Sequence, residues 1–211
     1  MSAYSSDNEE LERLQAWWKT NGRAVIAGVV LGVILVFAGN YWRHYKAAQA
    51  EAASALYEQM MMNQQQGNKD AIQATGGKLM QDFASTPYAG KAALLLAKAS
   101  FEAGDVASSR AQLQWAIDHA TEDATRHAAR LRLARIMLDQ AEIEPALKLI
   151  DVKDQDGFES EYQELKGDLL VKKADMDGAR RAYRQAKESL PPNSSYARIL
   201  NIKLDDLGPG K

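Results

Sequence analysis

The sequence contains no cysteine, only five prolines and no excess of basic residues. The absence of cysteine excludes disulfides, zinc–thiolate sites and thiol catalysis, and it is compatible with an oxidising compartment. The 26 Lys and Arg residues against 28 Asp and Glu give a net charge of −2, which argues against a nucleic-acid partner and a disordered acidic tail. Because proline is scarce while alanine, leucine, glutamine, lysine and glutamate are abundant, we expect an all-α chain.

Charged side chains are missing from one long apolar run, residues 24–42, which is flanked by Arg23 and Arg43. A helix of about 20 apolar residues crosses a ~30 Å hydrocarbon core, and within lipid only a helix satisfies its own backbone groups. The spacing of Gly28 and Gly32 permits close helix approach. Tryptophan and tyrosine on both flanks are typical of interfacial anchors. The run therefore predicts a single transmembrane helix at residues 23–43.

A cleaved signal peptide is the alternative interpretation, because residues 48–50 (Ala-Gln-Ala) have the small-x-small form of a cleavage site. However, Arg43 and Lys46 stand between the apolar run and that site, where such a linker is usually short and uncharged. The segment before the run is long and carries several acidic residues. Both features favour an uncleaved anchor.

The flanking charges predict the orientation of this anchor. Arg13, Lys19 and Arg23 precede the run, whereas Arg43 and Lys46 follow it. Because positive residues are retained inside, we expect residues 1–22 on the cytoplasmic side of the membrane and residues 44–211 on the opposite side. Good helix formers continue to about residue 66, so the membrane helix could run directly into the first helix of the soluble domain.

A repeat follows in the soluble part. Three helices, each ending in a turn with an acidic residue, are followed by a second helix with a small residue at one offset: Ser109, Ala146 and Ala179. A larger apolar residue lies four positions on, at Leu113, Ile150 and Tyr183. The units are separated by 37 and then 33 residues, close to the ~34 of the tetratricopeptide repeat. Small residues at this offset allow paired helices to cross closely.

The two ends of the array carry weaker signals. Residues 44–84 resemble a further, degenerate unit. Pro191 and Pro192 end a helix, and Ser194 or Ser195 can cap a polar terminal helix that closes the array. The fold class predicted is therefore all-α, with an N-terminal transmembrane helix followed by a tetratricopeptide-like α-solenoid.

Residues that could carry chemistry are few. His44, His119 and His127 are not at metal-ligand spacing, and we expect them to be solvated polar residues. The run around Asp154 and Gly157 resembles a calcium loop, but Val152 and Gln163 would occupy the first and last ligand positions. No phosphate loop, nucleophile elbow or zinc-protease motif occurs. We therefore expect no catalytic residue, no metal and no cofactor.

The remaining candidate site is a surface. In tetratricopeptide arrays the first helices of the units line a concave groove, and apolar residues beside charges there suit an extended peptide or a partner helix. Many of the same side chains could instead pack between units. The pattern that clamps a terminal carboxylate is absent, because leucines hold two of its polar places. The candidate groove consists of Leu94, Lys98, Phe101, Leu131, Arg135, Leu138, Glu164, Asp168 and Val171.

The whole chain resembles the YfgM family of ancillary SecYEG translocon subunits of Gram-negative bacteria. The resemblance rests on an acidic, aromatic N-terminal segment, a glycine-punctuated span and several short motifs. These motifs are Asn-Gly-Arg at 21–23, Tyr-Trp at 41–42, Ser-Ala-Leu-Tyr at 54–57, Leu-Ala-Arg at 133–135, Leu-Lys-Gly-Asp at 165–168, Lys-Ala-Asp at 173–175 and Gly-Ala-Arg at 178–180.

The resemblance implies a non-enzymatic inner-membrane protein with a periplasmic tetratricopeptide-like domain. It implies association with SecYEG and with the membrane-anchored chaperone PpiD, in aid of unfolded client proteins that leave the channel. It also suggests a second role, the restraint of the stress regulator RcsB. Two alternatives compete with this function: an adaptor of the same fold for another envelope-biogenesis machine, and an enzyme.

Overall fold

The computed structural model describes residues 3–155 and 157–208, with side chains from residue 11 onward. Within these residues it contains helices and no strand, as the composition predicts. The helices are α1 (Ala3–Gln65), α2 (Lys69–Asp82), α3 (Pro87–Glu102), α4 (Val106–His119), α5 (Asp123–Asp139), α6 (Ile143–Ile150), α7 (Glu159–Lys172), α8 (Met176–Glu188) and α9 (Ala197–Asp206).

The chain divides into two compact units, Met1–Gln49 and Ala50–Lys211, and the division falls within α1. In the first unit the apolar run is helical and its large side chains are exposed, as at Leu35 and Phe37. Asn21 and Gly22 lie inside the helix, where the Asn21 side-chain amide donates to the carbonyl of Trp17 at 3.2 Å. Of the described helices, α1 alone is long and apolar enough to cross a membrane.

The second unit is built from helix pairs, in which α3 packs on α4, α5 on α6 and α7 on α8. The small residues predicted at the crossings are fully enclosed: Ser109 is 1% exposed, and Ala146 and Ala179 are 0% exposed. The bulky residues four positions on are buried as well, at Leu113, Ile150 and Tyr183. The sequence register of the repeat is therefore confirmed, because the small side chains sit where neighbouring helices approach most closely.

The turns within the three helix pairs share the same backbone conformation. Gly104, Ala141 and Ala174 hold equivalent places and have φ angles of 81°, 60° and 64°. In the first pair, the Gly104 N–H donates to the carbonyl of Phe101 and the Asp105 N–H donates to that of Ser100. The other two pairs repeat both bonds, which satisfy carbonyls that a helix end leaves free. This left-handed turn reverses the chain three times.

Side-chain caps start several helices. Asp105 accepts from the Ser108 N–H at 3.0 Å and Asp175 accepts from the Gly178 N–H at 2.8 Å. Asn68 accepts from the Ala71 N–H at 3.2 Å, and Pro87 lies in the first turn of α3, where its missing N–H leaves no bond unmade. The same acidic residues therefore end one turn and begin the next helix.

The terminal helix α9 differs from the polar closing helix predicted. Leu200 is fully buried against Ala179, Tyr183 and Ala186. On its other side, Ile199 and Ile202 are 43% and 54% exposed. Neither Ser194 nor Ser195 caps α9, because the N-cap position is Tyr196 and no side chain bonds to the first turn. The Ser194 hydroxyl instead accepts from the Tyr196 N–H at 3.3 Å in the preceding turn.

Candidate functional site: a cavity between the first helices of two repeats

A cavity of about 500 Å³ opens between α3 and α5 above α4. Its inner surface is formed by the buried side chains of Ala97, Leu113 and Ile136, together with Ser109. The Ser109 hydroxyl donates to the carbonyl of Ala97 at 2.8 Å, so its polar group is already satisfied. The inner surface is therefore essentially apolar.

The rim of the cavity is charged and aromatic. Phe101, in the last turn of α3, is 46% exposed although it is a large apolar side chain. Lys98 from α3 and Arg132, Arg135 and Asp139 from α5 complete the lining. Three cationic side chains thus face one carboxylate, and an electropositive rim surrounds an apolar interior.

The lysine on this rim has a local partner. The ammonium of Lys98 lies 3.7 Å from a Glu102 carboxylate oxygen, and both side chains are mostly exposed. Such a pair one helical turn apart contributes only about 0.3–0.5 kcal/mol. Within the described ranges, neither Arg132 nor Arg135 forms an ion pair. Positive charge at the rim is therefore available to an incoming group.

Of the nine residues predicted to line a groove, this cavity brings together Lys98, Phe101 and Arg135. The three leucines of the set serve packing instead. Leu131 is 3% exposed inside the core between α5 and α7, and Leu94 and Leu138 lie half-buried against core clusters. Neighbouring first helices bury these positions because the array needs a continuous core.

The acidic members of the set face the terminal helix. The Lys203 ammonium lies 2.8 Å from Glu164 and 2.7 Å from Asp168. The Tyr196 hydroxyl donates to Glu164 at 2.7 Å, and the Tyr183 hydroxyl donates to Asp168 at 2.7 Å. This polar network of five residues, which we call the α9 network, occupies the groove at the third repeat.

Protonation within the α9 network follows from burial and charge. Burial and the hydrogen bond to Glu164 raise the pKa of Tyr196 to about 12. Burial and the hydrogen bond to Asp168 raise the pKa of Tyr183 further. Burial alone would lower the pKa of Lys203, but the hydrogen bonds to Asp168 and Glu164 outweigh it and the pKa is raised. Both tyrosines are therefore neutral and the lysine is charged at neutral pH.

Val171, the last of the nine, packs half-buried against the α8–α9 core and does not reach the cavity. The residues that the sequence analysis missed are Arg132 and Asp139. Together with Ile136 they recur at spacings of four and three residues along α5, so they share one helix face. This spacing could have identified Arg132 and Asp139 from the sequence.

The expectation that His127 is solvated is wrong. His127 is 7% exposed, its Nδ1 lies 2.8 Å from the Tyr162 hydroxyl, and its ring stacks on Phe158 at 5.3 Å. The residue joins α5 to α7, which no local pattern reveals. His119 is exposed, with Nδ1 3.0 Å from the carbonyl of Trp115.

No group of three or more histidine, aspartate or glutamate side chains suited to a metal occurs among the described residues. Asp156, part of the run that resembles a calcium loop, lies outside them. The cavity combines an apolar interior, one exposed aromatic ring and an electropositive rim.

The fold is that of a helical-repeat protein with an N-terminal helix suited to a membrane. The model of the tetratricopeptide repeat-like domain family matches residues 15–209. The chain is similar to the "Ancillary SecYEG translocon subunit" of Haemophilus influenzae, at 30% identity over 97% of this chain and 100% of the relative. It is similar to the protein of that name from Escherichia coli K12, at 27% identity over 98% and 99%.

A protein of the same name from Neisseria gonorrhoeae is 26% identical over 98% of this chain and 100% of its own length. The chain therefore belongs to the tetratricopeptide repeat-like family that includes these ancillary SecYEG translocon subunits. An ancillary subunit with such a domain is a non-catalytic kind of protein. The relatives' name and the apolar N-terminal helix fit an inner-membrane protein with a single span.

Proposed function

We propose that this chain is a non-enzymatic subunit that associates with the SecYEG translocon and binds partner or client polypeptides through its helical-repeat domain. The observation that carries the proposal is the extent of the similarity. Translocon subunits match over 97–98% of this chain, across both the apolar helix and the repeats. A membrane anchor would hold the helical-repeat domain next to the channel, where it can bind polypeptides as they emerge.

Binding of the partner or client takes place at the α3–α5 cavity in this proposal. Phe101 supplies an exposed aromatic contact, and Lys98 and Arg135 supply charge beside it. Exposed apolar area surrounded by polar groups marks interaction sites on soluble domains. The third repeat does not contribute, because α9 already occupies Glu164 and Asp168.

The partners proposed beyond SecYEG are the chaperone PpiD and unfolded clients, which the family resemblance suggests. Restraint of RcsB is a second role from the same source. An adaptor for another envelope-biogenesis complex is the competing function. The N-terminus is placed in the cytoplasm and the repeats in the periplasm, on the basis of the positive charges before residue 24.

The test is recovery of partners with the full-length protein from inner membranes in mild detergent, scored with antibodies against SecY, PpiD and RcsB. The unaltered protein should recover SecY and PpiD. With the variant Phe101→Asp, recovery of SecY should persist through contacts of the membrane helix. Recovery of PpiD should be lost. The matched control Ile202→Asp makes the same change on α9, at a position that is 54% exposed.

Three outcomes overturn parts of the proposal. Absence of SecY from the unaltered protein's partners removes the translocon role, and a different envelope complex in its place favours the adaptor. Loss of PpiD and client with Ile202→Asp but not with Phe101→Asp moves the binding face to α9.

A further inference from the structure

The α3–α5 cavity has properties that specify its occupant more closely than "a polypeptide". Its interior is apolar, and a volume of about 500 Å³ falls within the ~300–1,000 Å³ typical of ligand pockets. A space of this size takes a side chain or two and the adjoining backbone, not a folded domain. Phe101 at the rim offers its ring to an apolar or aromatic side chain of the occupant.

The charges at the rim indicate the charge of the residues that flank the occupant's apolar side chain. The lining has three cationic side chains, Lys98, Arg132 and Arg135, and one carboxylate, Asp139. Because Glu102 pairs with Lys98, one net positive charge remains at the rim. Guanidinium groups bind carboxylates with paired hydrogen bonds in a fixed plane. Arg132 and Arg135 both belong to α5 and stand at one side of the opening, where they can reach successive acidic residues.

The α9 network reduces the repulsion between the third repeat and an acidic occupant. Glu164 and Asp168 would otherwise present two carboxylates on the same series of first helices. Lys203 bridges both at 2.7–2.8 Å, and Tyr196 and Tyr183 donate to them. Because Lys203 pairs with both carboxylates, they oppose the positive field at the cavity less than two unpaired carboxylates would.

We infer that the cavity binds an extended segment of a partner protein in which an aromatic or large aliphatic side chain is flanked by acidic residues. The inference rests on the proposed partner-binding function and names the chemistry of its ligand. The apolar side chain enters between α3 and α5 beside Phe101, and the carboxylates pair with Arg132 and Arg135. The electropositive rim also raises the rate of encounter with such a segment.

The first test uses the full-length protein in detergent micelles and three short fluorescent peptides, followed by fluorescence anisotropy. One peptide has a phenylalanine flanked by aspartates, the second replaces the aspartates with asparagines, and the third replaces the phenylalanine with alanine. The first should bind most tightly, and each change should weaken binding about tenfold, equivalent to about 1.4 kcal/mol. Equal affinity for the aspartate and asparagine peptides overturns the inference without any variant.

The second test reverses charge on the protein. The double variant Arg132→Glu with Arg135→Glu should bind the acidic peptide at least about tenfold more weakly. It should prefer a peptide with lysines around the phenylalanine. The matched control is Arg181→Glu with Arg184→Glu, which makes the same charge change at exposed positions of α8 and should leave affinity unchanged. Equal loss in both double variants would assign the effect to net charge and overturn the inference.

The outcomes separate this inference from the proposed function. If SecY is recovered, and PpiD is recovered in a Phe101-dependent manner, but the acidic peptide has no advantage, the inference fails and the function stands. If SecY is not recovered at all, the function fails whatever the peptides do. Self-association of the chain that requires Phe101 would assign the cavity to a second copy, and that result also overturns the inference.

Discussion

The ring of Tyr183 occupies the space that a β-carbon on Gly167 would need, with its Cζ atom 2.9 Å from the ideal Cβ position. Gly167 lies on α7 and Tyr183 on α8, so the two residues set how closely this helix pair approaches. The same ring carries the hydroxyl that donates to Asp168. One glycine therefore permits both the packing of α7 on α8 and a hydrogen bond of the α9 network.

Gly167→Ala should destabilise the protein by about 1–3 kcal/mol, because the added methyl group displaces Tyr183 from a packed core. The measurement is the free energy of unfolding in denaturant. Gly77→Ala is the matched control: it lies in α2 with no atom near the ideal Cβ position, and it should gain up to about 1 kcal/mol from helix propensity. Equal stability of the two variants would contradict the close approach at Gly167.

Ala141→Gly and Ala174→Gly should each stabilise the protein by about 0.5–1 kcal/mol. Both alanines have positive φ angles, of 60° and 64°, which strain any residue with a β-carbon by about 1–2 kcal/mol. Part of that gain is offset because glycine is freer in the unfolded chain. Ala111→Gly, in the exposed middle of α4, should instead cost about 0.5–1 kcal/mol. Destabilisation by all three glycines would refute the left-handed turns.

Lys203→Met should destabilise the protein by about 1–3 kcal/mol, because Glu164 is 5% exposed and would lose its cationic partner. Adding Glu164→Gln should recover part of this loss, since it removes the unpaired charge. Lys187→Met, which removes an exposed lysine bonded to Asn201 of α9, should change stability by less than about 0.5 kcal/mol. Chemical denaturation of the unaltered protein, the three single variants and the double variant measures these values, and additive effects of Lys203→Met and Glu164→Gln would exclude their coupling.

Stability should fall in acid partly because of Glu142. Two hydrogen bonds from Arg110, at 2.6 and 2.9 Å, lower the pKa of Glu142 below its ordinary 4.5. The folded state therefore keeps this carboxylate ionised where the unfolded state takes up a proton. The stabilisation is present above pH 4.5 and is lost as the pH falls through the lower, folded-state pKa.

Glu142→Gln tests this dependence through unfolding measured across the acid range. The variant should be less stable than the unaltered protein at neutral pH, and the difference should disappear at the lowest pH. Glu188→Gln, at an exposed position near the end of α8, should retain the acid-range slope of the unaltered protein. A pH profile of Glu142→Gln parallel to that of the unaltered protein would rule out this contribution.

Protease added to spheroplasts should digest residues 44–211 and spare a small N-terminal fragment. Arg13, Lys19 and Arg23 before the span outnumber Arg43 and Lys46 after it, and long soluble domains cross largely regardless of their charge. Immunoblotting of N- and C-terminal tags reads the result, with a cytoplasmic protein as the lysis control. A domain that resists protease until lysis would reverse the orientation and remove the periplasmic function.

The sequence patterns predicted part of the lining of the α3–α5 cavity. Lys98, Phe101 and Arg135 were predicted because equivalent places in successive repeats fall on the same helix face. Leu131 was included because it occupies an equivalent position, but it is buried. Equivalence between repeats does not distinguish a groove-lining residue from one that packs between neighbouring helices. Arg132 and Asp139 share a face of α5 with Ile136, but the positions assigned to the groove from the repeat register did not include them.

The sequence alone determined the helical class, the apolar anchor and the spacing of the repeats. These depend on composition and on periods of a few residues, which local sterics and burial impose. The turns at Gly104, Ala141 and Ala174 likewise follow from local hydrogen bonding. Tertiary structure decided that Lys203 pairs with both Glu164 and Asp168, and that an open cavity lies between α3 and α5. Those outcomes depend on contacts between residues more than thirty positions apart, whose geometry is set by helix packing and has no signature in adjacent sequence.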